Sequence, residues 1–264
     1  MVIGIDMGAS AIKLAALEGN EIAAAHYERC RETDVPALCE KLGLDLMAAE
    51  AVVLTGLSAR KSGLERLGIK TVTVPEAEAI GRGGTWLSGR DNIVVASMGT
   101  GTAFVHAKGG VFTHLCGTGV GAGTLTGLSE KILGVRRVRD FDVLAMAGDT
   151  NKVDLTIGDF VEQHGSLTAD LTASNLARHN PDAGANDWAA GIATLIFQVV
   201  GTMGLLACKG CGAEAVVVTG GVANSGPARA NFRRFVDGYG LEYIIPDNCV
   251  CATAIGAARC AIDG

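Results

Sequence analysis

The feature that most constrains the fold is a single design written into the chain twice. Residues 2–17 (VIGIDMGASAIKLAAL) and residues 92–108 (NIVVASMGTGTAFVHAK) each read as an apolar strand, a turn of small residues and a second apolar strand. Met7-Gly8-Ala9-Ser10 falls on Met98-Gly99-Thr100-Gly101. A second pair of matches follows in the same order, AVVLTGLSA at residues 51–59 and AVVVTGGVA at residues 215–223. Two ordered matches specify two related halves, which we place at residues 1–90 and 91–264. The stretch between the motifs is about 70 residues longer in the second half, and an insert at about residues 116–188 accounts for the surplus.

Each half is expected to run hairpin first, then helix, strand and helix. In the first half we expect a third strand over residues 21–27 and a helix through Leu42 capped by Thr33 or Asp34. A buried strand over residues 51–59, a short strand over 71–74 and a helix from Glu76 towards Trp86, with Pro75 at its start, follow. The insert is expected to be helical over residues 123–133, 140–147 and 157–164. A long helix over 187–208, a strand over 215–219, a helix through Phe235, a strand over 241–245 and a helix over 251–262 complete the chain. This order gives two mixed α/β sheets, with the ligand expected in the cleft between them.

Composition excludes several classes. The net charge of −6 and the scattered Lys and Arg argue against a nucleic-acid partner. Residues 188–208 carry no charge and have the length of a membrane span. Gln198, the Thr and Gly residues on several faces and the lack of flanking basic clusters fit a buried helix instead, so no membrane partner is expected. No basic region precedes an apolar stretch at the N-terminus, and a cytoplasmic location is the expectation. The eight cysteines are then expected to be reduced. Cys208 and Cys211 (CKGC) have no histidine at zinc spacing, and Cys249 and Cys251, which could supply a second pair, are separated from them by strands and helices of the core, so the pair reads as small buried residues.

The chemistry follows from the turns. A turn almost without side chains lets backbone amides close on an anion, which makes Gly8, Ala9 and Ser10, and Gly99, Thr100, Gly101 and Thr102, candidate phosphate contacts. A carboxylate beside a phosphate calls for a divalent cation between them, so Asp6 is the expected Mg²⁺ contact and Lys13 the expected point charge on a phosphate oxygen. Asp6 corresponds to Ser97 in the repeat, so only one turn carries that carboxylate. Gly119, Gly121, Ala122, Gly123 and Thr124 open a helix whose N–H groups suit phosphate. Gly220 and Gly221, after an apolar strand, let a flat ring approach the backbone.

Two hairpins and a nucleoside loop in this order resemble the actin, sugar-kinase and chaperone ATPase superfamily over the full length of the chain. That resemblance implies a duplicated actin-like (ribonuclease H-like) α/β fold, two mixed sheets flanked by helices, with ATP in the cleft. Within the superfamily the chain resembles type II pantothenate kinases. The features that carry this are GIDMGASAIK, Pro75-Glu76 followed by AEAIGRG, SMGTGTAF, GTGVGAGTLTGL, GDTNKVDL, DLTASN and AIGAA.

The resemblance implies ATP- and Mg²⁺-dependent phosphorylation of the primary hydroxyl of pantothenate, the first step of coenzyme A synthesis, by a homodimer. Glu76 matches the position of the family's catalytic Glu, a carboxylate to orient the hydroxyl and accept its proton, with Glu78 in reserve. Thr100, His114 and Cys251 are expected to face the acceptor. His114 stands where the family carries an Arg for the acidic end of pantothenate, and Cys251 where it carries an aromatic residue. A neutral imidazole does not reproduce a bidentate guanidinium grip, which brings in pantetheine or another small alcohol as acceptor. Other readings are a sugar kinase, a catalytically dead regulator, and an ATPase that activates a radical dehydratase. The last would use Cys116 and the CKGC pair for an iron–sulfur cluster at a dimer interface.

Overall fold

Both small-residue turns close antiparallel hairpins. In the first half, β1 (Val2–Met7) pairs with β2 (Ile12–Glu18), and β3 (Glu21–Glu28) adds antiparallel outside it. Every residue of β1 is buried, as expected for a central strand covered on both faces. α1 (Val35–Lys41) begins at Asp34, whose carboxylate accepts from the Ala37 amide. The computed structural model describes residues 1–29, 34–59, 62–161 and 169–263, so Thr33, the other cap candidate, lies outside the described residues. β4 (Ala51–Thr55) and β5 (Thr71–Thr73) then join parallel, giving the order β3-β2-β1-β4-β5.

After α2 (Glu76–Ser88) the second half repeats this arrangement with β6 (Ile93–Met98), β7 (Thr102–Lys108) and β8 (Val111–Thr118). The insert carries α3 (Ala122–Leu133), α4 (Val138–Met146), β9 (Leu155–Thr156) and β10 (Thr172–Ser174). The chain continues through α5 (Ala185–Cys211), β11 (Ala215–Gly220), α6 (Gly226–Tyr239), β12 (Glu242–Ile244) and α7 (Ala252–Ile262). The second sheet runs β12-β11-β6-β7-β8, the order of the first sheet position for position.

Three expectations change. The stretch through His114 and Cys116 is the third strand of the second sheet, so the insert starts after Thr118 and not at Cys116. The helix expected over 157–164 is a single turn, Ile157–Asp159, because the Asp159 carboxylate accepts from both the amide and the hydroxyl of Thr156 and also pairs with Arg178. The rest of that expected helix, beyond Val161, lies outside the described residues. The strand expected over 51–59 stops at Thr55, where Gly56 takes φ +91°.

The halves are tied by two helices. α7, from the end of the chain, returns to the first sheet, where Ala254, Ile255 and Ala258 pack with Val2, Leu17 and Val53. α2 and α7 cross with their backbones in contact: a Cβ on Gly256 would sit 1.8 Å from the Ala79 carbonyl oxygen, and one on Gly83 2.0 Å from that of Ala252. The other large core gathers Phe104, Phe141, Phe197 and Phe232 around α5. α5 has the length and apolarity to cross a membrane, but 61% of its most apolar stretch is buried against the rest of the chain. Within it, Cys208 is buried with its thiol directed at the Ala215 carbonyl, and burial pushes its pKa up to about 12.

Candidate active site

The two glycine turns face each other across a cavity of about 830 Å³ between the sheets. They meet directly, since the hydroxyls of Ser10 and Thr100 lie 2.9 Å apart. The first turn is closed by the Gly8 amide on the Ala11 carbonyl. The second is docked on the insert: Ala122 and Gly123 donate their amides to the carbonyls of Gly99 and Thr100, both at 2.9 Å. This alters the expected role of α3. Its opening amides are spent on the turn, the Gly121 amide is taken by the Thr124 hydroxyl, and that hydroxyl in turn donates to the Gly119 carbonyl. The helix start therefore fixes the second turn and does not offer those amides to an anion. Ala9, Ser10, Thr100 and Gly101 keep amides that, among the described residues, no backbone carbonyl takes. The Thr102 hydroxyl is likewise committed, to the Val120 carbonyl.

Asp6 is the penultimate residue of β1, at the floor of the cavity, 3% exposed and directly opposite Lys13 in the β1–β2 register. Lys13 Nζ donates to Asp6 Oδ2 at 2.6 Å. Burial works against the ammonium, but the Asp6 charge and hydrogen bond outweigh it and the Lys13 pKa is raised. The lysine thus neutralises Asp6 and does not stand free for a phosphate.

Glu76 opens α2 and faces the same cavity. Partial burial and the negative charge of Asp6 raise its pKa, while Lys13 and His114 pull it the other way. Those four ionisable groups therefore share one electrostatic neighbourhood.

The other sequence candidates divide. Gly8, Ala9, Ser10, Gly99, Thr100, Gly101, Thr102, Gly119, Ala122, Gly123 and Gly221 line the cavity. Gly220, Gly121 and Thr124 do not. Gly220 is buried at φ +105°, with the Met98 carbonyl oxygen 2.2 Å from where its Cβ would be, so the strand contact itself requires glycine there. His114 is exposed on β8 and within electrostatic reach of Glu76 without lining the cavity. Cys251 is buried with its thiol directed at the His26 carbonyl, and burial pushes its pKa up to about 11. It lies within electrostatic reach of the Asp6–Lys13 pair and does not line the cavity.

Sequence reasoning missed Tyr27, Arg29 and the run Arg136, Arg137 and Arg139, all of which line the cavity. Tyr27 lies 3.3 Å from where a Cβ on Gly221 would be, so the first half touches the expected nucleoside loop of the second. The repeat held a signal for one of these. The registers Ile12↔Glu28 and Thr102↔Thr118 make Arg29 the counterpart of Gly119, each just past the third strand of its sheet.

Known proteins match this arrangement. The model of the Fumble family matches residues 92–228. A type II pantothenate kinase of Oceanobacillus iheyensis is 26% identical over 265 residues, 97% of each chain. Another, of Bacillus anthracis, is 26% identical over 215 residues, 77% of this chain and 76% of that one. Among solved structures, the activator of the 2-hydroxyisocaproyl-CoA dehydratase from Clostridium difficile, with bound ADPNP, aligns with TM-score 0.71 at 22% identity over 99% of this chain and 94% of its own. A ROK family glucokinase from Streptomyces griseus, in complex with glucose and AMPPNP, aligns with TM-score 0.58 at 19% identity over 100% and 99%. At these identities the structural likeness establishes the duplicated actin-like fold.

Proposed function

The chain belongs to the Fumble family, and from that premise we propose that it is an ATP-dependent kinase acting on the primary hydroxyl of pantothenate or of its close relative pantetheine. The observation that carries this reading is the carboxylate of Glu76 in one cavity with both phosphate turns. Glu76 orients the acceptor hydroxyl and takes its proton as the oxygen bonds to the γ-phosphorus and the bond to the β-phosphate bridging oxygen breaks, releasing ADP. The free amides of the two turns hold phosphate oxygens in line, and Lys13 fixes the orientation of the Asp6 carboxylate.

Asp6 fits a Mg²⁺ contact. It is a single buried carboxylate with one oxygen taken by Lys13, and Mg²⁺ in such sites is held by one or two carboxylates with waters and substrate phosphates completing its shell. When bound there, the ion supplies neutralisation of the β- and γ-phosphate oxygens. By the resemblance, His114 stands where relatives carry a guanidinium, and it does not line the cavity, so that position offers the acceptor's acidic end no cation, which supports pantetheine beside pantothenate.

ADP release measured over pantothenate, pantetheine and common sugars tests the reading. Glu76→Gln is expected to lower kcat by about 10²-fold or more with ATP affinity retained. In the parent, activity falls as pH drops through the raised Glu76 pKa, so the acid limb lies above the ordinary glutamate value of 4.5. Full activity in Glu76→Gln removes Glu76 as the base. No turnover of either pantothenate or pantetheine overturns the substrate assignment, and a brown, anaerobically purified protein supports the activator reading. A cytoplasmic homodimer belongs to the same proposal, and sedimentation and cell fractionation check it.

A further inference from the structure

Lys13 is the cation the sequence points to, yet its charge is already spent on Asp6. A nucleoside triphosphate brings several negative charges into the cavity of a chain whose own net charge is −6. The remaining cations that line the cavity are Arg29, Arg136, Arg137 and Arg139. Arg136 is held by Glu130 at 2.9 Å, and Arg137 lies 3.9 Å from Asp140. Arg29 and Arg139 have no acidic partner among the described residues, and both are exposed into the cavity.

Their positions are complementary. The pairing of Ile12 with Glu28 sets Arg29 beside Ala11, whose carbonyl closes the first phosphate turn. Arg139 lies in the first turn of α4, in the insert of the second half, and lines the same cavity as Gly221 and Val222 of the nucleoside loop. One arginine thus belongs to the phosphate turn of the first half, and the other to the insert of the second. The counterpart of Arg29 in the repeat is Gly119, so only the first half can deliver a charge at that place.

We infer that Arg29 and Arg139 grip the bound nucleoside triphosphate from the two walls of the cavity, Arg29 at its terminal phosphates and Arg139 at the phosphates nearer the nucleoside. A guanidinium offers paired N–H donors to phosphate oxygens and stays charged at every working pH. The assignment rests on the kinase reading for its substrate, but it is tested without an acceptor.

Calorimetry with a non-hydrolysable ATP analogue, ADP and adenosine reads the grip directly. Arg29→Gln is expected to weaken the ATP analogue about tenfold or more while leaving ADP near the parent value, with kcat lowered in the coupled assay. Arg139→Gln is expected to weaken the ATP analogue and ADP alike by about tenfold, with kcat retained. Arg29→Lys recovers part of the loss. Arg90→Gln, which breaks only a surface pair with Glu242, serves as the control and binds as the parent does. Parent affinity for the ATP analogue in both cavity variants overturns the inference, and so does an equal loss for adenosine, which carries no phosphate. If the variants lose the ATP analogue as expected but no acceptor is phosphorylated, the grip stands and the kinase reading falls. If an acceptor is turned over and neither variant differs from the parent, the reverse holds.

Discussion

Gly256→Ala tests the crossing of α2 and α7 that joins the halves. The added Cβ would lie 1.8 Å from the Ala79 carbonyl oxygen and 2.5 Å from the Gly83 amide nitrogen. Both are backbone atoms, so no side chain can swing aside and α7 must move out by more than 1 Å. That motion is resisted on the next face, where Gly4 of β1 already lies against the Ala254 carbonyl. Forcing a methyl into a packed contact costs about 1–3 kcal/mol, and a backbone obstruction belongs at the upper end. Replacing a helical glycine by alanine returns about 1 kcal/mol of propensity, so the net loss is about 2 kcal/mol. For a chain of this size that is a fall in Tm of roughly 4–8 °C by calorimetry. Gly127→Ala is the internal control. It sits inside α3 with nothing within 4 Å of its added Cβ, and the same substitution there should raise stability by about 1 kcal/mol. Because α2 carries Glu76 on its first turn, displaced packing at Gly83 should also lower kcat, by as much as about 10²-fold for a shift near 1 Å. A Gly256→Ala protein as stable as the parent would refute the backbone contact and the argument built on it.

Two further outcomes follow from buried charges. Lys13→Met leaves the Asp6 carboxylate buried without a partner and should cost about 3–5 kcal/mol in urea unfolding, whereas the double variant Asp6→Asn/Lys13→Met should recover much of that loss. Asp142 has a buried Oδ1 without a hydrogen-bond partner among the described residues, and burial raises its pKa from 3.8 to about 6. The folded state therefore holds this proton more tightly than the unfolded chain, and ionisation costs stability above pH 6. Asp142→Asn should raise Tm at about pH 8, with the gain disappearing as the pH falls to about 4 and the parent becomes neutral there too.

What the sequence made legible was what local chemistry dictates. Small residues between apolar strands have few folding options, so both turns, the strands around them and the repeat could be read directly. The edge strand Val111–Thr118 could not, because only one of its flanks pairs and its exposed positions carry Thr113, His114 and Leu115 without clean alternation. The run at residues 157–164 has helical spacing, but Thr156, Asp159 and Arg178 form a competing set of side-chain bonds, and the partner Arg178 lies 19 positions away. Arg29 and Arg139 escaped for a similar reason. One is a lone residue past a strand and the other sits in a basic run that reads as a solvated face, and only the folded chain makes them walls of one cavity. Conversely, the amides of α3 looked available because a helix start alone does not reveal that Gly99 and Thr100 take them.

The duplication therefore distributes different work to parts of common design. The second turn is fixed from behind by Ala122 and Gly123, so its amides are set before any ligand arrives. The first turn carries the buried Asp6–Lys13 pair and touches the second through the Ser10–Thr100 hydroxyl contact, an exposed hydrogen bond worth about 1 kcal/mol. At the other end, the halves are joined by the glycine crossing of α2 and α7, where backbones lie too close for either helix to slide. The two contacts differ in kind: a backbone crossing at one end and a single exposed hydrogen bond at the other. Glu76 stands at the start of α2, one turn before that crossing, so the helix that carries it is fixed by the same contact that joins the halves.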